Sequence, residues 1–204
     1  DLAMIATRPG DPSSATRLLG VIGVLGGLAL LAAFVVEIPP AWNTVRLFLF
    51  VSGAIAVAAA AYGSHAAASR GLALAGTVPL VLANGALIAW ILLAVGRDRP
   101  FAGDFGLVGF WAGLGLWLAD AWFGIVALRL EVLWRWAAVA LVAGSLLAIL
   151  GMDRLGLTSA ANPTVFGTVA LAGIALNGIA WVLLGLEIAV PRLHRAAGGR
   201  LATG

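Results

Sequence analysis

Asp120 stands where an acid is costly, with long apolar flanks on both sides. A carboxylate at bilayer depth is expensive enough that proton or cation binding is its default reading. The competing reading is a neutral, hydrogen-bonded carboxyl that joins helices. Asn84 and Asn177 are amides in the middle of apolar runs. Such amides either hydrogen-bond across helices or touch a ligand or ion. Glu37 and Glu187 fall near the ends of apolar runs, where water reaches them, and read as solvated boundary residues. His65 follows Tyr62-Gly63-Ser64 at the end of another run. One neutral imidazole suffices to ligate the metal of a haem or a chlorophyll-type pigment; the plainer reading is a polar boundary residue.

Composition removes most other chemistry. The 12 basic residues are all Arg and there is no Cys. Lysine Schiff bases, P-loop lysines, thiolate nucleophiles, disulfides and zinc–thiolate sites are therefore excluded. Two His, at 65 and 194, cannot build a multi-histidine di-iron cage. Neither the Gly-x-Ser-Gly of rhomboid-like proteases nor the Gly-x-Gly-Asp of presenilin-like proteases is present. Asp120 also lacks a second intramembrane Asp with which to share a proton. The chain therefore reads as a non-enzyme. A net charge of +3, with arginines scattered singly, gives no nucleic-acid patch.

The elements that position these residues are membrane spans. The chain is 62% hydrophobic and 10% charged, with a mean hydropathy of +1.07. A soluble domain carries roughly 25% charged residues. Six apolar runs, at about 18–36, 45–62, 71–95, 105–128, 134–151 and 163–190, approach or exceed the roughly 20 residues needed to cross a bilayer. The expected fold is thus all-α, a polytopic bundle of six transmembrane helices over 17–191, with tails at 1–16 and 192–204 and connections of about 6–12 residues. Alternating the sides puts eight arginines with the two termini and four opposite. By the positive-inside rule both termini are expected in the cytoplasm of a bacterial inner membrane. The Arg-only, Ala/Gly-rich composition fits GC-rich coding.

Small residues set where membrane helices approach. At 100° per residue, Gly106, Gly109, Gly113, Asp120, Gly124 and Ala127 share one arc of the fourth span. Leu107, Trp111, Leu114, Leu118, Trp122 and Ile125 lie opposite, toward lipid or a partner. In the first span Gly20, Gly23, Gly26 and Gly27 share a face running on to Glu37. Residues 76–93 also align without gaps on 167–184, with nine of 18 positions identical. This pairs span three with span six and suggests a 3+3 inverted repeat.

The stretch 124–150, with a span ending in Leu128-Arg129 and Arg135-Trp136 opening the next, resembles uncharacterised bacterial membrane families of six to eight helices. In those a Pro usually precedes the Arg-Trp pair; Trp134 stands there here. The resemblance covers about a seventh of the chain and implies a bacterial inner-membrane protein without implying an activity. The first functional expectation is a non-catalytic accessory subunit of a larger membrane assembly, respiratory or photosynthetic in kind, packed on other membrane subunits and the lipid bilayer. No cofactor is required, although a bound lipid, quinone, carotenoid or chlorophyll-type pigment is compatible. The alternative is a small inverted-repeat transporter or channel for a proton, cation or small solute that uses Asp120.

Overall fold

The computed structural model describes residues 13–32, 40–95, 107–151 and 163–190. It is all-helical: α1 (Ser14–Ala32), α2 (Pro40–Ala68), α3 (Arg70–Val95), α4 (Leu107–Leu130), α5 (Arg135–Leu150) and α6 (Pro163–Ala189). In hydrocarbon every backbone N–H and C=O must be bonded within the protein, and a helix does this within one segment. Among the described residues, five helices are long and apolar enough to cross a membrane. The sixth, α5, has 16 residues and spans about 24 Å at 1.5 Å per residue, less than the roughly 30 Å of a bilayer core.

Each helix packs on its neighbours in sequence and α6 packs on α1, so the six close into a ring. Backbone-to-backbone approach makes the closing seam. A Cβ on Gly27 would lie 2.7 Å from the Gly178 carbonyl oxygen, and one on Gly185 would lie 2.6 Å from the Val24 nitrogen. Gly23 holds the α1–α2 contact, since any Cβ there would run into the Val57 side chain. No larger residue fits this seam without separating the helices. Across the ring α2 reaches α6 and, more lightly, α4. The centre is filled by Phe50, Leu80, Phe123, Leu141, Trp181 and Leu184, all nearly or completely buried.

Several sequence expectations are corrected. The second span does not stop near Tyr62 but continues to Ala68. The Ser64 hydroxyl donates to the Ala61 carbonyl one turn back at 2.8 Å, so this polar run stays helical, and the alanines after it are strong helix formers. The connection to α3 is Ser69 alone, whose hydroxyl accepts from the Leu72 N–H at 3.5 Å as an N-cap. The α4–α5 connection is only residues 131–134. It turns through Glu131, which has φ 52°, a left-handed conformation common after a helix end. The 76–93/167–184 alignment itself falls on α3 and α6, of 26 and 27 residues, while at the same offset α2, with 29 residues, falls on α5, with 16. Helices rich in Ala, Leu and Gly match one another readily, so local identity is a weak guide to architecture. Glu37, Gly106, Gly109, His194, residues 1–12 and the tail at 192–204 lie outside the described residues, while α1 begins at Ser14, inside the expected N-terminal tail.

Candidate functional site

The fourth helix turns Asp120, Gly124 and Ala127 inward and Trp111, Leu118, Trp122 and Ile125 outward. Gly113 is half-buried. Asp120 is completely buried, about halfway along α4, and meets α6. Its Oδ2 accepts from Asn177 Nδ2 and from Trp181 Nε1, each at 3.3 Å. Both are longer than the usual N–H···O distance near 2.9 Å, and Oδ1 has no hydrogen-bond partner. Asn177 and Trp181 are one turn apart on α6, so one face of that helix offers both donors to the same oxygen.

A third helix joins through a glycine. A Cβ on Gly144 would lie 2.6 Å from the Asn177 nitrogen and 2.8 Å from the Gly173 carbonyl oxygen. This contact between α5 and α6 lets the next residue, Ser145, accept from Asn177 Nδ2 at 2.8 Å. Ser145 is completely buried. Sequence reasoning passes over it because a single serine in an apolar helix has no distinguishing spacing. Its position directly after a glycine of the packing face is the available signal.

His65 lies in the last turn of α2 but is not a solvated boundary residue. It is completely buried, and neither Nδ1 nor Nε2 has a hydrogen-bond partner. Its ring faces Phe123 with centroids 5.7 Å apart, and Phe123 stacks on Trp181 at 5.9 Å. An unbroken set of contacts therefore runs from His65 on α2 through Phe123 to Trp181, the residue that donates to Asp120.

The other candidates serve elsewhere. Asn84 is completely buried, but its Nδ2 donates to Leu80 of its own helix at 2.8 Å, leaving Oδ1 without a partner. Glu187 is half-buried, and its Oε2 accepts from the Trp134 backbone N–H at 2.7 Å. That N–H belongs to the N-cap residue of α5, so the acid sits at the positive end of the α5 dipole and is not merely solvated. Proline in place of Trp134 would have no N–H to donate. Trp122 ties α4 to α3, since its Nε1 donates to the Ala75 carbonyl at 2.9 Å. Pro79, inside α3, lacks the N–H that would otherwise bond this carbonyl four residues back.

Chemically, the site brings together the Asp120 carboxyl, the Asn177 amide, the Ser145 hydroxyl and the Trp181 indole N–H, with the His65 imidazole joined through Phe123. Several of its acceptor atoms are unsatisfied, which is unusual in a native interior. No group of three or more His, Asp or Glu suited to a metal ion occurs among the described residues. The arrangement can hold and release a proton, or offer oxygens to a small monovalent cation, and it can equally tie three helices together. No family model, curated protein or solved structure matches this chain.

Proposed function

We propose that this chain is a small membrane carrier or channel that binds a proton or small cation at Asp120 and passes it across the bilayer. One observation carries the reading: the Asp120 carboxyl is buried in mid-helix with two long hydrogen bonds on one oxygen and none on the other. A carboxyl present only as cement would satisfy both oxygens, because an unmet buried acceptor costs about 1–3 kcal/mol. An exchange site must instead leave bonding capacity for its cargo. Asn177 and Trp181 orient the group, and Ser145 orients Asn177. The arginine-rich end formed by Arg17, Arg70, Arg129 and Arg135 is the cytoplasmic one, with both termini on the cytoplasmic side of a bacterial inner membrane.

The test uses the full chain in phosphatidylethanolamine–phosphatidylglycerol vesicles containing a pH-sensitive dye, with a potassium diffusion potential as driving force. Sodium and potassium fluxes are followed in parallel. Asp120→Asn keeps the shape and a donor but cannot exchange a proton, so it should abolish flux while preserving thermal stability. Undiminished flux in a folded Asp120→Asn protein, or no flux of any of these ions in the native one, would overturn the reading.

A second reading has its own support. The chain Asp120–Asn177–Ser145 links α4, α6 and α5, and α4 turns Trp111, Leu118, Trp122 and Ile125 outward. A non-catalytic subunit of a membrane assembly would use the first as an internal tie and the second as a surface for neighbouring subunits. In that case Asp120→Asn should leave native co-purifying partners unchanged and no flux should exist to lose.

A further inference from the structure

We infer that His65 is a second proton-binding group of the same site and exchanges its proton with Asp120 past the ring of Phe123. The inference rests on the proton reading of Asp120 and adds a route from that residue to the arginine-rich end.

The first observation is the condition of the imidazole. A neutral histidine carries one N–H donor and one acceptor nitrogen. Both ring nitrogens of His65 are buried without partners, although a histidine kept for packing would bond at least one. Among the described residues, His65 and Asp120 are the only titratable side chains completely buried. The others near this end differ: Tyr62 of α2 is half-buried, Glu187 of α6 is held on the Trp134 N–H, and Arg17, Arg70, Arg129, Glu131 and Arg135 are exposed. Among the described residues, no other charged group therefore lies between the two.

The second observation is placement. His65 lies three residues before the end of α2, next to the exposed Gly63 and Ser64. A Cβ on Gly63 would meet nothing within 4 Å, so α2 is unpacked on the side turned away from the imidazole, within the same last turns of the helix. On the inner side, Phe123 and Asp120 share one face of α4 at a spacing of three. Phe123 touches the imidazole and also stacks on Trp181, which donates to Asp120. The phenyl ring thus links the imidazole to the indole that donates to Asp120.

The exchange balances simply. An imidazolium at His65 gives its proton to water, which passes Phe123 when the ring turns aside. That water delivers a proton to the Asp120 carboxylate, leaving a neutral imidazole and a neutral acid. Reversal returns the proton to the arginine-rich end. A charged pair becomes a neutral pair, so the transfer moves one unit charge along part of the bilayer normal without leaving an isolated buried charge.

The same vesicle assay separates this inference from the reading it rests on. His65→Gln should lower proton flux by about tenfold or more and remove the dependence of flux on pH at the arginine-rich face. Phe123→Ala should raise flux, and Asp120→Asn should abolish the increase. Wild-type flux and pH profile in His65→Gln, alongside a dead Asp120→Asn, would overturn the inference and leave the carrier reading standing. Wild-type flux in both would overturn both. Should His65→Gln fail to fold, ¹⁵N-histidine solid-state NMR of the otherwise native His194→Gln protein in the same lipids gives the answer. The His65 signal should titrate with pH, and its midpoint should move when Asp120→Asn is added. A signal that does not titrate, or a midpoint that ignores Asp120, would overturn the inference.

Discussion

Asn84 and Asn177 carry the same amide near the middle of two apolar helices, and both are completely buried. On α3 the amide folds back on its own helix at Leu80. On α6 it reaches two other helices, at Asp120 and Ser145. The side chains do not differ, so the difference lies in what faces them. Gly144 lets α5 close on α6, and α4 presents a carboxyl at the same level. Helix α3 is instead bonded to α4 at the outer surface, where Trp122 serves the carbonyl released by Pro79. An intramembrane amide binds helices together only where a small residue admits a partner. Elsewhere its N–H turns back on its own helix and leaves its oxygen unmet, and the helix must be tied by other means.

The largest expected effect comes from removing that small residue. Gly144→Leu would place a side chain against the α6 backbone, where even a Cβ stands 2.6 Å from the Asn177 nitrogen. Forcing the helices apart should cost about 3 kcal/mol, read as the shift in unfolding midpoint in mixed micelles. Asn177→Leu comes next. It strips Asp120 of one donor and Ser145 of its partner and should cost about 1–3 kcal/mol, with Asp120→Asn partly non-additive in a double-mutant cycle.

Trp122→Phe should cost roughly 0.6–1.7 kcal/mol, the range for hydrogen bonds within membranes. The cost should largely vanish in a Pro79→Ala background, where the restored N–H of residue 79 itself bonds the Ala75 carbonyl. An equal cost in both backgrounds would mean that the indole, and not the released carbonyl, matters. The smallest effect belongs to Asn84→Leu. It deletes an unmet buried oxygen along with a bond inside one helix, so stability should stay level or rise by up to about 1 kcal/mol. A loss as large as that of Asn177→Leu would erase the contrast between α3 and α6.

These contrasts also mark what is legible in the sequence. Run lengths locate six helices, because a membrane span announces itself by unbroken apolarity. The 100° arc puts Asp120, Gly124 and Ala127 on one face of α4, and all three are buried. The end of α2 is harder to read because Gly63, Ser64 and His65 look like punctuation, while the Ser64 bond to Ala61 is a local detail that composition does not reveal. Glu187 and Trp122 escape sequence reasoning for another reason. Their partners, the Trp134 N–H and the Ala75 carbonyl, lie on other helices or at their ends, and pairing across a ring depends on rotation and depth that no single run encodes. The companionship of His65 with Phe123 is of that kind too.

The seam between α1 and α6 has a bearing on how the molecule is made. A chain leaves the ribosome amino end first, so the first helix enters the membrane while its glycine partners on the last are still unsynthesised. During that interval Gly20 and Gly27 face only lipid or a helper protein. The arrival of α6 then accomplishes three things at once: it shuts the ring, delivers both donors to Asp120, and caps the start of α5 through Glu187. A chain ending before residue 163 would therefore leave the glycines of α1 and the Asp120 carboxyl both awaiting the same absent stretch.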